Sequence, residues 1–302
     1  MSVRLSHTAK EMYLRSPRSY FYHYYMNLRP EKTNSALFFG SIIETGLDSL
    51  LQGKSLIDSI AAFKDNFKTI KLNGYIENLE SSSNIKYSKA DFDRDLFNEQ
   101  ELILLGNESD NYKAWSSLQK KGELLLEAYS LEILPKIKKV IATQVKISGK
   151  NEVGDEIVGF ADLICEWEDG RILVLDHKTS SIKYPSDAVQ SDQYGKQTAL
   201  YYDKLKDQYN LSGAGFIVLE KNIRKKQPRA RVYFTNFEEP NELLIQKTFD
   251  EFDEVCHNIK NGKFDCFSPN CDVYGQSCPY KKYCCSNGED MTGLVKIDNK
   301  KA

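Results

Sequence analysis

Apolar residues recur at intervals of three and four along most of the first 137 residues, which is the spacing of one face of a helix. The clearest segments are SALFFGSIIETGLDSLLQG and KAWSSLQKKGELLLEAYSLEILPKI. The pattern predicts a helical lobe over residues 1–137, with helix from Leu5 onward. Between these segments NLESSSNIKYSKADFD is polar and weakly patterned, so it is predicted to be a loop or a flexible insertion.

After Pro135 the pattern changes to short runs rich in β-branched residues and separated by Gly, Asn and Asp, which is typical of strands. The runs are KKVIATQVKIS, DEIVGFADLICEW and RILVLDHKTS. A helical stretch, DAVQSDQYGKQTALYYDKLKDQY, precedes two more strand candidates, GAGFIVLEKN and RARVYFTNF, and a final helix from about Pro240 to Asn261. This order predicts an α/β fold with a central mixed sheet flanked by helices over residues 138–262.

The net charge of −2 excludes the simplest kind of nucleic-acid-binding protein, a strongly basic domain. Any DNA contact must therefore be local. The best local candidate is a cationic run between the last two strand candidates, formed by Lys221, Arg224, Lys225, Lys226, Arg229 and Arg231. The same run also suits a solvated hairpin tip. No apolar run is long enough to cross a membrane, and the N-terminus lacks the apolar core of a secretory signal, so a cytoplasmic location is expected.

Two strands of this predicted sheet carry residues suited to metal chemistry. Asp162 lies in GFADLI, and Asp176 and Lys178 lie in VLDHKTS. A short turn between the two strands would place the carboxylates side by side, where they could hold a hard cation such as Mg²⁺. Because side chains alternate along a strand, Lys178 should project to the same face as Asp176 and stabilise charge on a phosphate.

These residues, with a Gln and a Tyr one turn apart on the following helix, resemble the RecB-like and phage-type branch of the PD-(D/E)XK nucleases. That branch carries G-x-x-D, D/E-x-K and Q-x-x-x-Y motifs, matched here by Gly159 and Asp162, Asp176 and Lys178, and Gln197 and Tyr201. The resemblance implies a restriction-endonuclease-like core, metal ligation by both aspartates, a catalytic role for Lys178, and a Gln/Tyr pair near the metal site or bound DNA.

The resemblance extends to an early helix, where family members place a metal-binding His or Glu four residues after a glycine. Gly40 and Glu44 have this spacing. A ligand set of Glu44 and the two aspartates suits Mg²⁺ or Mn²⁺. His177 is expected to point to the opposite face of the strand from Lys178, which leaves its main-chain carbonyl as the metal-ligand candidate.

A cysteine-rich segment with its tail occupies residues 263–302, and its cysteines are Cys266, Cys271, Cys278, Cys284 and Cys285. Thiolates select iron-sulfur clusters or Zn²⁺. The fragment CPYKKYC resembles the C-terminal cysteine box of an iron-sulfur branch of this family, whose fourth cysteine precedes a proline near the N-terminus. Here Ser16 precedes Pro17, so that set is incomplete. Three outcomes stay open: Cys266 or Cys285 supplies a fourth ligand, the site holds zinc, or the residues pack without a metal.

Cys165 and Cys256 are predicted to be small buried hydrophobic residues. An aromatic run near the N-terminus suits either helical core packing or the stacking of unpaired bases. It consists of Tyr20, Phe21, Tyr22, Tyr24 and Tyr25.

The sequence thus predicts a Mg²⁺- or Mn²⁺-dependent DNA nuclease, and the resemblance favours an exonuclease in recombination, repair or phage replication. The alternatives are a non-catalytic DNA-binding or assembly subunit, a CRISPR-adaptation-type processing nuclease, and a cysteine-zinc interaction module. The intact set of Asp162, Asp176 and Lys178 argues against the first. Since no G-x-x-x-x-G-K-[ST] loop occurs, unwinding would need a helicase partner; an annealing or recombination partner and an oligomer are also open.

Overall fold

The structure is a computed structural model that describes residues 2–30, 35–67, 70–72, 75–77, 111–151, 153–221, 230–266, 272–273 and 276–297. The chain divides into two compact units. The first comprises Met1–Lys10, Ile43–Phe63 and Lys121–Asn261, and the second comprises Glu11–Ile42, Lys64–Lys120 and Gly262–Ala302. The division expected from the sequence, at residues 137/138 and 262/263, stays a prediction.

The α-helices are numbered in chain order. They are α1 (His7–Arg15), α2 (Pro17–Tyr20), α3 (Ser35–Leu51), α4 (Leu56–Phe67), α5 (Asn111–Glu132), α6 (Lys196–Tyr209), α7 (Glu242–Lys260) and α8 (Lys281–Cys285). A π-helical turn, Phe21–Tyr25, follows α2 directly. Helix α7 begins where the Asn241 side chain accepts a hydrogen bond from the main-chain N–H of Leu244, which is the usual role of an N-cap residue.

The strands are numbered in the same way. They are β1 (Arg4–Ser6), β2 (Leu28–Pro30), β3 (Ile70–Leu72), β4 (Tyr75–Glu77), β5 (Ile137–Lys150), β6 (Glu156–Trp167), β7 (Ile172–Ser180), β8 (Gly213–Glu220), β9 (Arg231–Phe234), β10 (Asp272–Val273), β11 (Gln276–Ser277) and β12 (Leu294–Lys296).

A six-stranded mixed sheet forms the centre of the first unit. Its order is β1-β6-β7-β8-β9, and β5 also pairs with β6. The strands β5, β6 and β7 form an antiparallel meander, whereas β8 runs parallel to β7 because the helix α6 connects them. Strand β8 is almost continuously apolar and buried, as expected for a strand covered on both faces. The fold is therefore α/β, with a central mixed sheet flanked by helices, as predicted.

The five strands predicted after Pro135 and the final helix are confirmed, and two boundaries were predicted wrongly. Helix was expected from Leu5, but residues Arg4–Ser6 form β1 and the helix begins at His7. This strand forms because β6 offers an unpaired edge at Glu156–Val158, which is a long-range contact. Helix α6 begins at Lys196, after a 3₁₀ turn at Ala188–Gln190.

A buried carboxylate holds β1 at its place on the sheet. Asp155 is fully buried, accepts a hydrogen bond from Val3 N at 2.9 Å, and lies 2.6 Å from Lys260 Nζ. Burial by itself would raise the pKa of Asp155, but the Lys260 ammonium and the Val3 N–H lower it below its usual value of 3.8. The carboxylate therefore stabilises the folded state only where it is ionised.

We expect Asp155→Asn to lower the free energy of unfolding by about 1–3 kcal/mol at neutral pH, since it removes the charge but keeps an acceptor for Val3. A lowered folded-state pKa contributes stability that is present above the unfolded pKa and lost as pH falls through the folded one. The deficit should therefore shrink when urea unfolding is repeated below pH 3.8. An equal deficit at both pH values would contradict this explanation. Asp169→Asn, which breaks the exposed pair with Arg171, is the control.

The second unit contains the small antiparallel pair of β2 and β12 and a cluster of hydrophobic residues. Its buried members are Tyr22, Leu28, Tyr280, Tyr283 and Leu294. The Tyr280 hydroxyl donates to the Leu28 carbonyl at 3.2 Å, so the buried polar end of this ring is satisfied. Contacts between residues far apart in sequence thus join the N-terminal and C-terminal parts of this unit.

Candidate active site

The two central strands of the sheet separate at the predicted motif residues. The ladder between β6 and β7 ends at Leu163 and Leu175, and the next pair along it would be Asp162 and Asp176. Beyond this point β7 remains paired with β8, and β1 pairs with β6 at Glu156–Val158. Because the strands separate here, the His177 N–H donates to the Asp162 carboxylate, at 2.8 Å from its Oδ2.

Three metal-donor side chains meet at this separation. One donor atom from each of Glu44, Asp162 and His177 lies within 4.8 Å of the other two. Glu44 comes from α3, Asp162 from β6 and His177 from β7, so the group depends on the packing of α3 on the sheet. Asp176 is not a member of this group. Carboxylate and imidazole groups gathered in this way are common metal ligands in proteins.

A second set of polar side chains runs from β7 to α6. Lys178 Nζ lies 2.7 Å from Asp176 Oδ2 and donates to Gln197 Oε1 at 2.8 Å. The Gln197 amide in turn donates to the Tyr201 hydroxyl at 2.6 Å. Lys178 keeps 29% of its side chain exposed, whereas Asp176 keeps 2%. The ammonium is therefore fixed by two partners, while part of the side chain stays exposed to solvent.

The two sets together form a site with crowded negative charge. Burial raises the pKa of Asp176 to about 6, although Lys178 opposes the rise. Burial and the Glu44 carboxylate raise the pKa of Asp162. Burial disfavours charge on Lys178 and His177, but Asp176 raises the pKa of Lys178 and Glu44 raises that of His177 to about 9. A cation in this site would relieve the repulsion between the carboxylates.

Gly159 of the G-x-x-D motif has a steric reason to be a glycine. A Cβ atom at this position would lie 3.2 Å from Cε1 of the Tyr201 ring, which is closer than ordinary van der Waals contact. The absent side chain of the first motif thus leaves room for the tyrosine of the third. The glycine and the tyrosine were matched to separate motifs by sequence, and here they pack against each other.

We expect Gly159→Val to displace Tyr201 and with it Gln197, and to lower the rate of the cleavage reaction that the motif resemblance implies by up to about 10²-fold, because small misplacements of catalytic groups are costly. Gly159→Ala should have a smaller effect. Gly149→Val is the matched control, since a Cβ there meets only Lys204 carbons at 3.7 Å. Cleavage rates of the three folded variants test this; an unaffected Gly159→Val variant would contradict the packing argument.

The C-terminal cysteines are only partly described. Cys271 lies outside the described residues. The Cys284 and Cys266 sulfurs are 3.4 Å apart, and Cys278 Sγ lies 3.4 Å from the Ser19 hydroxyl. Among the residues that the structure describes, these thiols and Cys285 do not converge into a group of three metal donors. An iron-sulfur cluster or zinc ion at these cysteines stays a prediction.

Ser16, which stands where the iron-sulfur branch has a cysteine, acts as the N-cap of α2 by accepting a hydrogen bond from Ser19 N. Cys165 and Cys256 are fully buried, as predicted.

The members of the aromatic run differ in burial, and base stacking by them stays a prediction. Tyr20 and Tyr22 are buried, whereas Tyr24 and Tyr25 are exposed. Of the cationic run, Lys221 and Arg231 flank the connection between the antiparallel strands β8 and β9, which fits a hairpin. Residues 222–229 lie outside the described residues, as does the predicted loop at 78–93.

Tyr129 is a site residue that sequence reasoning missed. It is fully buried on α5, and its hydroxyl lies 3.1 Å from His177 Nε2. Tyr129 belongs to no motif and occupies an ordinary apolar position of an amphipathic helix, so the sequence carries no signal for it. The side chain of His177 was also missed, because only its carbonyl was considered.

A mixed sheet whose central antiparallel strands separate at paired carboxylates, with a lysine two residues further on, has the architecture of a restriction-endonuclease-like fold. The chain belongs to the PD-(D/E)XK nuclease superfamily, whose family model matches residues 4–285. Membership implies a nuclease, and members of the superfamily typically use divalent metal ions.

Among solved structures, the chain is similar to one titled "Crystal structure of SSO0001", with 17% identity and a TM-score of 0.34. The similarity covers 58% of this chain and 77% of that one. No curated protein matches the chain. None of the helices that the structure describes combines the length and apolar composition that a membrane crossing requires.

Proposed function

We propose that this protein is a Mg²⁺- or Mn²⁺-dependent DNA nuclease of the RecB-like branch, acting from DNA ends. The observation that carries the proposal is the group formed by Glu44, Asp162 and His177 near the partly exposed side chain of Lys178. The G-x-x-D, D-x-K and Q-x-x-x-Y residues lie in one site, which supports the RecB-like branch. Action from DNA ends rests on analogy with that branch.

The residues of the site fit a divalent metal ion. Glu44 and Asp162 offer hard oxygen donors, and Glu44 is 25% exposed, which leaves water access to the site. Asp176 and the His177 carbonyl are further candidate ligands. When bound, such an ion would polarise a phosphodiester and make a water molecule more acidic.

The remaining residues position the substrate and stabilise charge. Lys178 would face the scissile phosphate and stabilise its developing negative charge, as preorganised cations do in low-dielectric sites. Asp176 and Gln197 fix the direction of the ammonium. Tyr201 holds the amide of Gln197 so that the amide oxygen, an acceptor, faces Lys178.

The proposal is tested by incubating the full chain with end-labelled linear DNA and with circular DNA, each single- and double-stranded, with Mg²⁺, with Mn²⁺ and with EDTA. We expect metal-dependent degradation of linear DNA and no cutting of circles. Cutting of circles would show an endonuclease with the same site. DNA binding without cleavage under either metal would favour a binding or assembly subunit and overturn the proposed mechanism.

A further inference from the structure

The imidazole of His177 is an unusual side chain for its position in the D-x-K motif. Its side chain is 1% exposed, and within the described part of the chain its Nδ1 atom makes no hydrogen bond, although Glu44 Oε2 lies 3.4 Å away. A buried polar atom without a partner is costly, so it calls for an explanation such as an ion. Nδ1 faces the Glu44 carboxylate, and one ring nitrogen of His177 lies within 4.8 Å of carboxylate oxygens of both Glu44 and Asp162.

The placement of this ring follows from the strand. Alternation along β7 sends Asp176 and Lys178 to one side and His177 to the other. Lys178 accordingly contacts Gln197 of α6, whereas His177 contacts Glu44 of α3 and Tyr129 of α5. The ring thus reaches the carboxylate group from the side opposite the lysine.

We propose that the His177 imidazole, oriented by Tyr129, is a nitrogen ligand to the metal ion that Glu44 and Asp162 hold. This inference rests on the proposed metal-dependent function and deepens it, because it assigns the side chain and not only the carbonyl of His177. The resulting set of ligands is mixed, with nitrogen from β7 and oxygen from β6 and α3.

Tyr129 supplies the outer partner that metal-binding histidines commonly have. Its hydroxyl lies 3.1 Å from Nε2. In the ligand form that we propose, Nε2–H donates to this hydroxyl and the ion takes the place of the proton on Nδ1. The tyrosine ring is fully buried and also packs edge-on against the imidazole at 5.5 Å between centroids. Tyr129 is thus a positioning residue that fixes the tautomer and the direction of the ring.

A nitrogen ligand changes the metal preference of the site. Mg²⁺ favours oxygen ligands, whereas imidazole suits transition metals better. The site should therefore bind Mn²⁺ more tightly than Mg²⁺. His177→Gln should lower Mn²⁺ affinity more than Mg²⁺ affinity, and Tyr129→Phe should weaken Mn²⁺ binding by about tenfold, the lower end of the effect of losing an outer partner.

The experiment is electron spin-echo envelope modulation of Mn²⁺ bound to the full chain, which detects a nitrogen nucleus coordinated to the ion. The chain has four histidines, so selective ¹⁵N-histidine labelling is simple. We expect ¹⁴N modulation in the native protein that changes on labelling and disappears in His177→Gln. Variants of the other three, His7→Gln, His23→Gln and the exposed His257→Gln, should keep it, which assigns the signal even where the His177 variant does not fold.

Mn²⁺ bound without histidine modulation, or modulation that survives in His177→Gln, would overturn the inference and leave the proposed nuclease function standing. A native protein that binds no Mn²⁺ would overturn both. An equal loss of Mn²⁺ and Mg²⁺ affinity in His177→Gln would show a merely structural role for the ring.

Discussion

Lys178→Ala is expected to lower the rate of DNA cleavage by about 10²- to 10³-fold while the protein stays folded and still binds DNA. The ammonium is held between Asp176 and Gln197, and 29% of the lysine side chain is exposed, so it is positioned for an incoming phosphate. Its removal takes away charge stabilisation and leaves the group of Glu44, Asp162 and His177 intact. Single-turnover cleavage of linear DNA measures the effect, with DNA binding followed by fluorescence anisotropy.

Lys206→Ala is the matched control for this variant. Lys206 also pairs with an aspartate, Asp203, but it lies in the last turn of α6. The Lys206→Ala variant should cleave DNA at the native rate. Native-rate cleavage by Lys178→Ala would remove the lysine from the mechanism, whereas equal loss in both variants would point to a general effect of charge on DNA binding.

Glu251→Ala is expected to lower the free energy of unfolding by about 3–5 kcal/mol, the range for removing one partner of a buried ion pair. Glu251 lies 2.5 Å from Nζ of Lys10, whose side chain is completely buried, and it also pairs with Lys196. Without this carboxylate, the buried Lys10 ammonium loses its closest opposite charge and retains the face of the Phe252 ring, 5.3 Å away. Urea unfolding of the variant and the native protein measures the difference.

Two further variants decide whether the buried ammonium is the cause. Lys10→Met with Glu251→Leu removes both charges, and such apolar replacements of a buried pair are often neutral, so most of the stability should return. Asp192→Ala breaks the exposed pair with Lys247 and should leave the unfolding midpoint almost unchanged. A double variant no more stable than Glu251→Ala would locate the effect in packing and not in charge.

The sheet was predictable because the composition and spacing of apolar residues in its strands differ from those in the helices around them. Runs such as RILVL are short, apolar and bounded by turn residues, and β7 begins at Ile172 within this run. The D-x-K residues follow directly, and their alternation along one strand placed Asp176 and Lys178 together correctly. Local pattern determines these features, since strand periodicity is a property of neighbouring residues.

The boundaries of β1 and α6 were not predictable in the same way. Three residues, Arg4–Ser6, carry no strand pattern of their own and become a strand only because β6 offers an edge. Lys196 starts α6 later than the periodicity suggested, since the preceding residues form a 3₁₀ turn. In both cases a contact or turn outside the local pattern overrode intrinsic propensity.

By itself, the sequence determined the class of fold, the three motifs and the residues most suited to metal and phosphate chemistry, because those depend on spacing along single strands and helices. Only the tertiary structure decided which of them meet. Glu44, Asp162 and His177 are separated by up to 133 residues and converge because α3 packs at the point where β6 and β7 separate. Tyr129 joins them through burial of its ring on α5, a contact that no local pattern encodes.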